Sequence, residues 1–123
     1  MFVFNLGLLN TFDEELARER AVPPFRIERV VEVPVRPLAE ILAEHVPPGT
    51  TIDLMTVDVE GRDLEVLQSN DWAMFRPRVI LAEVYGTTIG DLAADPAAEF
   101  LATCGYEAVA KTVNTCMFVE RTA

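Results

Sequence analysis

An α/β fold with a mostly parallel sheet and a C-terminal antiparallel hairpin is predicted, on three observations. Short apolar runs alternate with amphipathic stretches along the 123 residues, which is the order of strands and the helices that cover them. Two of the runs, Ile52–Val59 (IDLMTVDV) and Val79–Val84 (VILAEV), are mostly apolar on both faces. Central parallel strands covered by helices on both sides read this way. Two further runs, Tyr106–Lys111 and Cys116–Glu120, are joined by the short connector Val113-Asn114-Thr115 and form the hairpin.

The elements follow in order. Met1–Leu9 (MFVFNLGLL) is apolar but short, with no basic residue before it and no small-residue cleavage site, so it is a poor signal peptide. An apolar run at the initiator Met suggests a chain that starts inside a domain. Asn10-Thr11 before Phe12-Asp13-Glu14-Glu15 starts a helix with acids in its first turn, and Val22-Pro23-Pro24 ends it. Arg26–Val35 (RIERVVEVPV) is a strand, after which Pro34 and Pro37 break the ladder. Leu38, Ile41 and Leu42 recur at helical spacing, and that helix stops near Pro47-Pro48-Gly49. Glu60-Gly61 is a tight exit into a helix over Asp63–Gln68. Asp95-Pro96 opens the last helix, with proline where its missing N–H is harmless; Phe100 and Leu101 face the core and Gly105 ends it.

Twenty acidic against ten basic residues give a formal charge of −10. Such a surface repels phosphate backbones and anionic lipid, which argues against nucleic-acid and membrane-surface binding. No stretch approaches the length of a membrane span. Cys104 and Cys116 are too few for a disulfide framework and fit no metal spacing; they read as reduced core thiols of a cytoplasmic protein.

Ligands of open parallel sheets bind outside the carboxyl ends of the strands. Here those ends carry Asp58-Val59-Glu60-Gly61 and Glu83. Residues two apart on a strand share a side, so Asp58 and Glu60 converge, and Gly61 allows the turn. The amides of the following helix hold Glu60 ionised. The bland alternatives stay open: Asp58 as a partner for loop amides, Glu60 as an ordinary helix N-terminal acid, Glu83 as a solvated strand end. His45, the only histidine, reads as a partner of a helix C-terminus, and Ser69, the only serine, as a cap. Trp72 and Phe75 read as core, and Lys111 as a solvated strand residue with ligand contact as the alternative.

The stretch IDLMTVDVEGRDLEVLQSNDW followed by FRPRVILAEVYG resembles the FkbM-type family of S-adenosylmethionine-dependent methyltransferases. The likeness extends to LNTFDEELA, GYE, AKTVNT and MFVER, covering nearly the whole chain. It implies a Rossmann-like class I methyltransferase fold that methylates a hydroxyl of a small-molecule, sugar or lipid acceptor. It implies Glu60 and Asp58 as catalytic, Asp58 and Gly61 in contact with S-adenosylmethionine, and Glu83 on the acceptor, with no metal. One of the first two acids would serve as general base, and methyl transfer would be in line from sulfonium to oxygen.

The sequence departs from the family by lacking strands 1 and 2. None of its six glycines forms G-x-G; Gly86 and Gly90 are the closest pair. Residues 1–123 are therefore expected to form a single, truncated domain without the N-terminal cofactor-binding strands. Two other readings stand beside it: a non-catalytic remnant or interaction module, and a Mg²⁺ hydrolase built on Asp58, Glu60 and Glu83. In the expected sheet, Arg26–Val35 pairs in parallel with Ile52–Val59, followed by Val79–Val84, Cys116–Glu120 and Tyr106–Lys111. Incomplete cover and an exposed sheet edge then predict self-association.

Overall fold

The computed structural model describes residues 1–84, 88 and 90–121. Tyr85 and Gly86, which close the family-like stretch, lie outside the described residues. The chain divides into two compact units, Met1–Val35 with Val59–Arg62, and Arg36–Asp58 with Asp63–Ala123.

In the smaller unit, β1 (Phe2–Phe4) pairs antiparallel with β2 (Ile27–Val30), with Phe2 opposite Val30 and Phe4 opposite Ile27. Asn5 closes the pair. Its backbone N–H donates to the Arg26 carbonyl and its Oδ1 accepts from the Arg26 N–H. A 3₁₀ turn over Gly7–Leu9 leads to α1 (Glu14–Arg20). Asp13 caps α1 by accepting from Leu16 N–H at 2.9 Å. Phe4, Thr11 and Ala17 are buried.

The larger unit holds α2 (Leu38–His45), β3 (Leu54–Val57), α3 (Asp63–Gln68), β4 (Val79–Glu83), α4 (Pro96–Thr103), β5 (Tyr106–Lys111) and β6 (Thr115–Glu120). Its sheet runs β3-β4-β6-β5. Only β3–β4 is parallel; β4–β6 and β5–β6 are antiparallel. The hairpin, the order of these four strands and all four helices stand as the sequence predicts. Asp95 caps α4 through Ala97 N–H and Ala98 N–H, Pro96 occupies its first turn, and Gly105 follows at φ +88°.

Three expectations are corrected. The sheet is mixed rather than mostly parallel. The Arg26–Val35 run contributes only Ile27–Val30, which joins β1 instead of lying beside Ile52–Val59. Beside β1, Glu28 and Arg29 stay exposed and only Ile27 is half-buried, so this pairing asks no charged side chain to leave water. Finally, Ile52–Val59 is not a central strand. It shortens to β3, at the sheet edge, where Leu54 is 56% exposed.

The core of this unit joins the helices to the sheet. Leu67, Ile80, Leu101, Tyr106 and Phe118 are buried. Trp72 packs edge-on against Phe100 and Tyr106 and donates from Nε1 to the Leu67 carbonyl at 3.0 Å. Trp72 and Phe75 are thus core, as read from the sequence. Tyr106 donates from its hydroxyl to the Pro77 carbonyl at 2.7 Å, and burial pushes its phenol up to about 12. The Arg76 guanidinium lies over the Tyr106 ring and pairs with Glu120 at 2.8 Å.

Candidate functional site

The parallel pair β3–β4 sets the site, because the carboxyl ends of its strands open at one end of the sheet. The register puts Val57 opposite Ala82. One step further, Asp58 leaves β3 alongside Glu83, the last residue of β4. Asp58 is exposed and Glu83 is half-buried. Two of the four residues singled out in the sequence are therefore brought to one sheet end by strand pairing.

Glu60 and Gly61 belong to the smaller unit. The alternation that would align Asp58 with Glu60 stops at Val57, so the two-residue spacing no longer sets their direction. Glu60 instead sits at φ +54° and Gly61 at φ +95°. A left-handed glutamate is disfavoured sterically, so neighbouring groups must hold it. Two do so. Thr11 Oγ1 donates to the Glu60 carbonyl at 3.0 Å, and Arg20 Nη1 donates to the Glu60 carboxylate at 3.2 Å. The same Nη1 also reaches the Leu9 carbonyl at 3.3 Å. Glu60 is not in the first turn of α3; the acids there are Asp63, which is buried, and Glu65.

Lys111 is the residue whose role differs most from its sequence reading. It is no solvated strand lysine. Its ammonium donates to the Val84 carbonyl at 2.8 Å, to Val113 at 3.1 Å and to Thr112 at 3.3 Å. It thereby ties the hairpin turn to the chain just beyond Glu83. Val84 is fixed from its other side too, by its N–H donating to the Asn114 carbonyl at 2.7 Å. Two of these carbonyls follow Lys111 directly in the chain, but the shortest contact, to Val84, forms only once the hairpin has folded against β4. Ser69 is a cap, but chiefly of another helix: its hydroxyl accepts from Leu38 N–H at the start of α2 at 2.9 Å. His45 ends α2 and is exposed.

A groove of about 470 Å³ lies between α4 and β5, with Ala98, Ala102, Ala108 and Phe118 in its lining. None of Asp58, Glu60, Gly61 or Glu83 borders it. Among the described residues, no group of three or more His, Cys, Asp or Glu side chains is placed to hold a metal ion. No helix among the described residues is long and apolar enough to cross a membrane.

The chemistry of this sheet end is that of an α/β domain with paired carboxylates beyond parallel strands. The family model of the methyltransferase FkbM domain matches residues 7–108, and the chain belongs to that family. Comparison with curated proteins and with solved structures gives no match.

Methyltransferases of this kind imply S-adenosylmethionine, and the residues present can be tested against it. The strand-end carboxylates suit the charge of a sulfonium and the hydroxyls of a ribose. The methionine carboxylate needs several backbone N–H groups on a glycine-rich turn. The left-handed glycines described here, Gly49, Gly61 and Gly105, stand singly. The described residues therefore do not make up a site for the whole cofactor.

Proposed function

We propose that this chain is the acceptor-side portion of an S-adenosylmethionine-dependent methyltransferase acting on a hydroxyl of a small molecule, sugar or lipid. The observation that carries this reading is the family match across residues 7–108 together with Asp58 and Glu83 at the carboxyl ends of its parallel strand pair. In this reading Asp58 and Glu60 are the catalytic carboxylates. One accepts the acceptor's hydroxyl proton as its oxygen becomes nucleophilic, which requires hydrogen-bond reach. Asp58 and Gly61 face the cofactor, Glu83 orients the acceptor, and Lys111 holds the end of β4 in place for it. The open edge of β3, with Leu54 exposed, supports both the expected missing strands and self-association. The charge of −10 favours a small acceptor over nucleic acid or an anionic membrane. Free Cys104 and Cys116 fit a reducing, cytoplasmic setting.

The isolated glycines favour a second reading, a non-catalytic module of the same family. Titration with S-adenosylmethionine and transfer of its labelled methyl group separate the two. The chain alone is expected to bind the cofactor only weakly. When a glycine-rich strand–turn segment of the family is supplied with it, label is expected on hydroxyl acceptors and is lost in Glu60→Gln. Tight binding by the chain alone overturns the claim of an incomplete site. Absence of transfer with the segment supplied favours the non-catalytic reading, and unchanged transfer in Glu60→Gln removes that residue from catalysis.

A further inference from the structure

Glu60 is held at two points. Its backbone carbonyl accepts from Thr11 Oγ1 at 3.0 Å, and that hydroxyl in turn accepts from Asp13 N–H at 3.1 Å. Thr11 is fully buried, and its backbone is paired in both directions with Phe2, at 2.8 and 3.2 Å. The Glu60 carboxylate is held through Oε2 alone, by Arg20 Nη1 at 3.2 Å. Oε1 takes no hydrogen bond among the described residues, and the side chain is 32% exposed. We propose that Arg20 is a positioning residue, which by engaging Oε2 presents Oε1 of Glu60 as the oxygen that accepts a hydrogen bond from the acceptor's hydroxyl. This inference rests on the methyltransferase reading and decides between its two candidate acids, Asp58 and Glu60.

Folding alone does not call for this arrangement. Turn geometry does not ask for a glutamate, since glycine adopts φ +54° at lower cost. Stability gains little from an ion pair whose two side chains are both partly exposed. The end of α1 does not depend on Arg20 either. Arg18 already places a cation in the last turn, 71% exposed and paired along the helix with Glu14. Arg20 is only 22% exposed and also donates to the Leu9 carbonyl at 3.3 Å, which fixes the guanidinium from a second side. A carboxylate held by such a group has lost rotamer freedom before a ligand arrives, so a hydroxyl meets an oxygen already in place. Asp58 differs. It is exposed and takes no hydrogen bond from the described residues, so its carboxylate is ordered only at the expense of binding.

The experiment makes two measurements on the native chain, Arg20→Met and Arg20→Lys. The first uses the chain alone, labelled at glutamate Cγ, and reads side-chain order by NMR relaxation. Glu60 is expected to be ordered in the native chain, to fall to the order of exposed Glu19 in Arg20→Met, and to recover in Arg20→Lys. Equal order of Glu60 in the native chain and Arg20→Met overturns the proposal, whatever the activity. The second supplies the glycine-rich segment and labelled S-adenosylmethionine, with glycerol, methyl glucoside and 1-octanol as hydroxyl probes. In Arg20→Met kcat is expected to fall at least tenfold with KM for the probe within about twofold, and Arg20→Lys is expected to recover most of the loss. Unchanged kcat, a loss confined to KM, or no recovery in Arg20→Lys although Glu60 has regained its order overturns the proposal. Absence of transfer by a native chain whose Glu60 is ordered overturns the methyltransferase reading and the inference with it, and the first measurement tells that outcome from failure of the positioning role itself. Arg20→Gln takes the place of Arg20→Met in both measurements should the methionine unfold the chain.

Discussion

Replacing Glu60 tests why a glutamate occupies a left-handed position. At φ +54° a residue with a Cβ is disfavoured against glycine by about 1 kcal/mol. The opposing contribution is the carboxylate's pair with Arg20, whose side chains are 22% and 32% exposed. Partial exposure limits such a pair to roughly 0.5–1 kcal/mol. The Thr11 bond goes to the backbone carbonyl and survives any substitution. Glu60→Gln keeps the strain and loses the pair, so it is expected to destabilise by about 0.5–1 kcal/mol. Glu60→Gly loses the pair and relieves the strain, so it is expected to fall within about 0.5 kcal/mol of the native chain. The assay is urea unfolding followed by far-UV circular dichroism, with equal slopes required. Arg20→Met completes a double-mutant cycle with Glu60→Gln and is expected to show coupling of about 0.5–1 kcal/mol. A Glu60→Gly variant destabilised by more than about 2 kcal/mol would refute the reasoning, since Glu60 would then be held for stability alone. A glutamate retained at a strained position of little net stability is the expectation for a residue kept for its chemistry.

Further outcomes follow from single contacts. Tyr106→Phe leaves the Pro77 carbonyl buried without its donor and is expected to cost about 1–3 kcal/mol in urea unfolding. Because burial raises the Tyr106 phenol above its unfolded value, its contribution is full below pH 10 and is lost as pH rises from about 10 through about 12; stability measured across that window is expected to fall in the native chain and to fall less in Tyr106→Phe. Lys111→Met leaves three carbonyls without their cation and is expected to speed amide exchange at Asn114 and Thr115, with Lys111→Arg recovering part of the protection; equal exchange in both variants argues against the clamp. Ser69→Ala removes the hydroxyl that accepts from Leu38 N–H and is expected to cost about 0.5–2 kcal/mol, read as earlier fraying of α2 in amide exchange.

Local signals were legible where one short stretch decides the outcome. Asp95-Pro96 sets the start of α4 and Gly105 its end, and the hairpin turns over Thr112-Val113-Asn114, one residue earlier than the connector read from the sequence. Pro34 and Pro37 likewise mark where strand structure has ceased. The candidate site was legible only in part. Strand ends place Asp58 and Glu83, since parallel register carries both to one end of the sheet. Glu60 was not, because glutamate is a poor marker of a left-handed turn and the groups holding it, Thr11 and Arg20, are distant in sequence. Lys111 escaped because its shortest contact, to the Val84 carbonyl, lies 27 residues away, and because the turn carbonyls of Thr112 and Val113 carry no residue-type signal.

The pairing of the strands shows what an apolar run does and does not encode. Ile52–Val59 carries the pattern of a strand with cover on both faces, and β3 is an edge strand with Val57 at 5% and Leu54 at 56% exposure. The two facts do not conflict. An apolar pattern records which surface a strand is able to bury, while the neighbour it finds depends on every other run competing for the same edge. Ile27–Val30 finds its partner in Phe2–Phe4 instead, and there Glu28 and Arg29 stay exposed. At both ends of β3 an acid marks the limit of what is buried: Asp53, paired with Arg78 at 2.9 Å, and Asp58, exposed. The unsatisfied remainder of the pattern is then concentrated on one edge and one face of one sheet. At that edge an added strand would pair the free backbone of β3 and take Leu54 out of water.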